Sequence, residues 1–293
     1  MGKKHHIVPQ FYLRHWAYNP EVPNSAMRTY IHSTTGKGYT GDSAIKDIFY
    51  KNHLYTLLDY PERDKSVEFD DQEIESKLAD NEKKYSDFLK SFVKRVDLLT
   101  DKQIEKFFSI KDKIYLVGMF TGQFCRFKKE LKDGEDALRR QLQKSRKGRL
   151  VSDEQINNMI RELYIAPKNP PNDEPFIPSV GIGLFIYLIC LPCAIGYTST
   201  GEIITGNNPI HAINGKIYKS NHSNVGRIIY PLTPYLVLCF YPKKREYKIS
   251  KRRKLFILSD EEVIEINKRI AMNSDRICSR LIFTEERLNQ IYK

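Results

Sequence analysis

The chain has 293 residues, enough to bury a core without disulfides or a metal, and its 41% hydrophobic and 29% charged residues are an ordinary globular composition. Lysine and arginine number 48 against 36 acidic residues, a formal charge of +12 that excludes an acidic solvating chain and points to an anionic partner. Five cysteines are too few, and odd in number, for a disulfide framework. Residues 180–195 form the longest apolar stretch, but Gly181, Gly183 and Pro192 interrupt it, and it is shorter than the roughly 20 residues that span a bilayer. His5, His6, Pro9, Gln10 and Arg14 break up any apolar leader at the start. The expectation is a cytoplasmic protein of a reducing compartment, with no signal peptide and no membrane partner.

The first 60 residues lack helical periodicity. Prolines and glycines separate β-prone pieces at 28–32 and 53–57, which predicts two or three short strands. From Asp70 the pattern changes. Ile74, Leu78, Tyr85, Phe88, Leu89, Phe92 and Val96 recur at helical spacing, predicting an amphipathic helix to about Leu98. Thr100 and Gln103 have the spacing of a capping box. The helix predicted after it carries Ile104, Phe107, Phe108, Ile110, Ile114, Val117, Phe120 and Phe124 and is apolar on more than one side. A basic helix over 135–147 and another opening at Ser152 complete a helical region spanning 70–165.

Five prolines mark 167–178 as a loop. A buried helix ending near Leu191 follows, then strands at 194–198, 202–205, 227–231 and 235–241. Ser259 caps a helix predicted to run to about Arg280, followed by a strand at 281–283 and a last helix from Thr284. Strands at both ends with helices between them predict a single α+β domain over 1–293. Its mixed or antiparallel sheet is drawn from N- and C-terminal strands, with the helical bundle inserted.

The densest polar constellation is the run from Lys4 to Trp16, with three histidines, Gln10, Arg14 and the one tryptophan. An extended arm there points His6, Val8 and Gln10 one way and His5 and Ile7 the other. Imidazole beside guanidinium suits work on a phosphate, one moving a proton and the other holding an oxyanion. Gln123 and Arg126 stand three apart on the predicted central helix and so share a face. Either they face an anion, or Arg126 pairs internally with Glu75 or Glu82 on the preceding helix. The turn Gly206-Asn207-Asn208-Pro209 offers backbone N–H groups, or is simply good turn chemistry.

Cys190 and Cys193 have zinc-ligand spacing, but no second pair completes four ligands, and their apolar setting predicts core cysteines and no metal site. No Walker A, GxGxxG or GxSxG motif is present, and no cofactor is expected. Two basic runs stand out, one from Lys128 to Arg149 and one from Lys243 to Lys254. In the second, Lys251, Arg252 and Arg253 lie in a segment suited to tracking a phosphate backbone, with Tyr241 and Tyr247 to stack bases.

The run HHIVPQFYLRHWA resembles the opening of the domain-of-unknown-function family 4238: His, a short apolar step, Pro-Gln, an aromatic, Leu-Arg and an aromatic. The likeness continues through KNHLYT at 51–56, IESKLADNE at 74–82, GQFCRFKKE at 122–130, EIITGNNPI at 202–210 and PLTP at 231–234. Asn207 departs from the Asp usual in the family. The resemblance implies candidate positions and no established activity. HHIVP is also similar to the start of HNH-type nucleases, but Asn52 and His53 stand in a strand-like context rather than on the required helix.

The function expected is action on nucleic acid, with RNA favoured over DNA, in the specific form of a metal-independent RNA nuclease of bacterial anti-phage defence. His6 is its general acid/base, Arg14 and Arg126 its phosphate clamp. His5, Gln10, Gln123, Asn207, Asn208, Lys251, Arg252 and Arg253 are its substrate-binding groups. The alternative is a non-catalytic sensor that binds a nucleotide or an operon-encoded protein.

Overall fold

The computed structural model describes residues 4–34, 38–52, 71–97, 107–124, 182–213, 226–242 and 254–292. The chain opens with strand β1 (Lys4–His6), a one-turn helix α1 (Gln10–Leu13) and a 3-10 turn at Arg14–Trp16. The extended arm expected from the sequence therefore ends at Pro9. Proline fixes φ near its helical value and gives up an N–H that a first turn leaves unbonded anyway, so the helix starts directly after it.

Strands β2 (Arg28–Ser33) and β3 (Gly38–Ala44) form a hairpin, and β4 (Tyr50–Asn52) returns to pair antiparallel with β1. Helix α2 spans Asp71–Asp97, close to its predicted bounds, with Tyr85, Leu89, Phe92 and Val96 on its buried stripe. Helix α3 spans Ile110–Phe124. It begins later than predicted, because Phe107 and Phe108 are not helical. Ser109 is the local start signal: its Oγ accepts the Asp112 N–H at 3.1 Å while the Asp112 carboxylate accepts the Ser109 N–H at 2.7 Å. The Thr100 capping box and the helices predicted at 135–147 and from Ser152 lie outside the described residues, as does the proline loop.

Helix α4 (Ile182–Cys190) leads into β5 (Cys193–Tyr197). Strands β6 (Thr205–Gly206), β7 (His211–Ile213), β8 (Arg227–Thr233), β9 (Leu236–Phe240) and β10 (Leu255–Ile257) follow. Helix α5 (Asp260–Met272) starts at the Ser259 capping box, as predicted. It stops eight residues short of Arg280, at Asn273-Ser274-Asp275, where the Asn273 amide bonds back to the Arg269 carbonyl at 2.7 Å. The strand predicted at 281–283 forms earlier, as β11 (Arg276–Ser279), and α6 (Glu285–Tyr292) closes the chain.

These elements make an α+β fold. One four-stranded antiparallel sheet runs β3-β2-β11-β6 and joins the two ends of the chain, as the sequence leads one to expect. A second, five-stranded mixed sheet, β10-β5-β9-β8-β7, comes from the second half alone. Its β9 is buried throughout, Leu236, Leu238 and Phe240 entering one core and Val237 and Cys239 the other. Helices cover both faces, the arm, α2, α3 and α4 on one side and α5 and α6 on the other. Cys193 is buried as predicted, but Cys190 ends α4 exposed. Among the described residues, no helix is long and apolar enough to cross a membrane.

Candidate functional site

The arm is stapled to the sheets at three points. Tyr12 is fully buried; its hydroxyl donates to the Pro231 carbonyl at 2.8 Å and lies 2.9 Å from the Thr205 hydroxyl. Its ring stacks on Tyr230, centroids 5.4 Å apart, and packs against Trp16 at 4.7 Å. Trp16 Nε1 donates to the Ile203 carbonyl at 2.8 Å. From the other side, Gln123 at the end of α3 donates its amide to the Ile7 carbonyl at 2.9 Å. Stretches scattered over more than 200 residues of sequence thus meet around the arm.

Residues 10 and 14 are one helical turn apart and stand away from the Tyr12–Trp16 side. Both are half-buried, as is His6. The Gln10 amide nitrogen lies 2.7 Å from His6 Nε2, and the ring edge of Tyr50 approaches the imidazole with centroids 6.2 Å apart. An amide partner suits a proton carrier. As a donor it serves neutral imidazole, and turned about it accepts from imidazolium, whereas a carboxylate would favour the charged form alone.

Arg14 is the second chemical group. Burial lowers its pKa, and Glu82 on α2 opposes that shift through space. Among the described residues, no carboxylate makes an ion pair with this guanidinium. Glu82 thus acts on Arg14 through space, while its pairing with Arg126, read from the sequence as one of two choices beside Glu75, lies outside the described residues. His15 faces α2 beside Lys90 and Arg14; burial and then these cations push its pKa down to about 4.

The other sequence candidates fall in different places. Gln123 is 2% exposed and is spent on the Ile7 carbonyl, so it supports the arm from beneath rather than lining the half-buried surface. Asn207 is bound to the turn before β11: its Oδ1 accepts the Asp275 N–H at 3.0 Å and its Nδ2 donates to the Asp275 carboxylate at 3.4 Å. The Asn208 carbonyl accepts from His211 Nε2 at 2.6 Å and from the Ser274 hydroxyl at 3.3 Å. These contacts are turn chemistry, and none of them reaches the His6–Gln10 pair. His5 pairs with Lys51 in the β1–β4 ribbon. The side chain of His5, and Arg126, Lys251, Arg252 and Arg253, lie outside the described residues.

Two further histidines are buried, and one of them, His32, stands beside a serine without acting as its base. His32 Nε2 is 3.0 Å from the Ser279 hydroxyl, which itself donates to the Leu281 carbonyl at 2.6 Å. The serine proton is committed there, so His32 is the donor. His211 donates to the Asn208 carbonyl. Burial pushes both pKa values down to about 4. The folded protein keeps both rings neutral, while the unfolded chain protonates them below their ordinary pKa of about 6.5. Stability is therefore fully present above that pH and is lost as pH falls toward 4. The expected slope is up to about 1.4 kcal/mol per pH unit for each ring. Urea unfolding near pH 7 and near pH 5 measures it; equal midpoints would show that the rings do not control acid stability.

The fold and this arm-centred site define an α+β protein whose N-terminal signature is held by segments 116 to 219 residues away along the chain. A family model described as "Protein of unknown function (DUF4238)" matches residues 4–287, and the chain belongs to that family. No curated protein and no solved structure matches the chain.

Proposed function

We propose that the protein acts on nucleic acid, with the stripe His6–Gln10–Arg14 as its phosphate-handling centre and cleavage of RNA without a metal as the reaction. The observation that carries this reading is a half-buried guanidinium, outside ion-pair contact among the described residues, one turn from an amide that holds an imidazole. A guanidinium placed so offers a planar fork to an oxyanion, and the imidazole moves the proton. The formal charge of +12 supports a polyanionic substrate. In this reading Arg126 joins Arg14 as clamp, and Asn207 and Asn208 are turn residues. A defence role, in which the activity is lethal to an infected bacterial cell, remains part of the proposal.

Binding to single-stranded RNA across a salt series tests the partner. Changing Lys251, Arg252 and Arg253 together to Glu is expected to lower affinity and to reduce the slope of log affinity against log salt by about 2. Unchanged affinity and slope would remove the second basic run from the interface.

A further inference from the structure

Two constraints converge on Ile7, the residue beside His6, one on each of the peptide units that flank it. The Ile7 N–H donates to the Phe49 carbonyl at 2.8 Å, and the Ile7 carbonyl accepts Gln123 Nε2 at 2.9 Å. Neither partner is a cheap choice for the fold. Phe49 is buried with φ at 51°, a left-handed conformation that is strained for an aromatic residue. Gln123 sits between Phe120 and Phe124 on an apolar stretch of α3, and its Oε1 is buried with no hydrogen-bond partner among the described residues. A methionine there would fill similar space with no stranded acceptor. Among the described residues the amide makes one bond, and that bond fixes the backbone next to the imidazole.

We infer that Gln123 and Phe49 are positioning residues that clamp the Ile7 backbone on both sides and so set where the His6 imidazole stands against Gln10. The assignment of a task to that imidazole rests on the phosphate-handling reading above; the clamp itself does not. Gln123 then acts from α3, 116 residues along the chain from the carbonyl it holds. It is not a substrate contact. A shift of about 1 Å in a reacting group is enough to cost on the order of 100-fold in rate, so a bond of this kind has a large lever.

The test uses the full chain with Gln123→Met, read by nitrogen NMR of the His6 ring. In the wild type, His6 Nε2 should show the shift of a ring nitrogen in a hydrogen bond. In Q123M that signature and the titration midpoint of His6 should both change, while the melting temperature moves little. Where Q123M fails to fold, Gln123→Asn serves, because it keeps the amide and shortens its reach by one methylene. A His6 spectrum and midpoint identical to the wild type in the folded variant overturn the inference, whatever happens to stability. Cleavage of labelled RNA by the same samples separates the two readings. If the wild type cleaves, Q123M should lose turnover about 100-fold with a Michaelis constant near its wild-type value. If the wild type cleaves nothing, the phosphate-handling reading fails, and the spectrum still decides the clamp.

Discussion

His6→Ala should abolish function while leaving the fold in place. The ring is half-buried, so truncation removes little apolar area and should cost no more than about 1 kcal/mol. Loss of a general acid/base should lower turnover by about 100-fold or more. Toxicity on expression, or cleavage of RNA by the purified chain, measures the loss, and circular dichroism at increasing temperature checks the fold. The companion change Arg14→Lys keeps the charge and discards the planar fork, and it should also impair turnover. If both variants melt several degrees lower and keep full activity, the constellation is structural. If ligand binding is lost and the wild type itself never turns over, the site is that of a sensor.

The largest expected effect on stability is at the other side of the arm. Trp16→Ala should cost about 3–5 kcal/mol. Trp16 is fully buried, packs on Tyr12 and bonds to Ile203, so its removal opens a cavity at the junction of arm and sheets and strands a carbonyl. Urea unfolding reads the loss. Trp16→Phe keeps part of the packing and forfeits the bond, and should cost about 1–3 kcal/mol. A loss below about 1 kcal/mol in Trp16→Ala would mean that the arm is peripheral to folding.

Local signals carried much of the fold. Arg28–Ser33, Asp71–Asp97 and the Ser259 cap are visible because periodicity and capping act within a few residues. The same local view placed the start of α3 too early: residues 107–109 are not helical, and Ser109 supplies the capping chemistry. It extended α5 too far, since the apolar residues at 277 and 278 belong to a strand whose partners, β2 and β6, are remote in sequence. The His6–Gln10 contact is not legible from the extended arm expected there; it forms because the chain turns into α1 after Pro9. The Tyr12 and Trp16 anchors are not legible either, because their partners lie 187 to 219 residues away. Asn207 and Asn208 stood out for the same polar character that makes a tight turn, and among the described residues their bonds are those of the turn.

The most direct measurement is incubation of end-labelled single-stranded RNA with the purified full chain in the presence of a chelator, resolved on a denaturing gel beside the Arg14→Lys and His6→Ala variants. A metal-independent phosphate centre at His6 and Arg14 predicts fragments from the wild type, at least tenfold slower cleavage by Arg14→Lys and none detectable from His6→Ala. Intact RNA with the wild type, or equal cleavage by all three proteins, would contradict it.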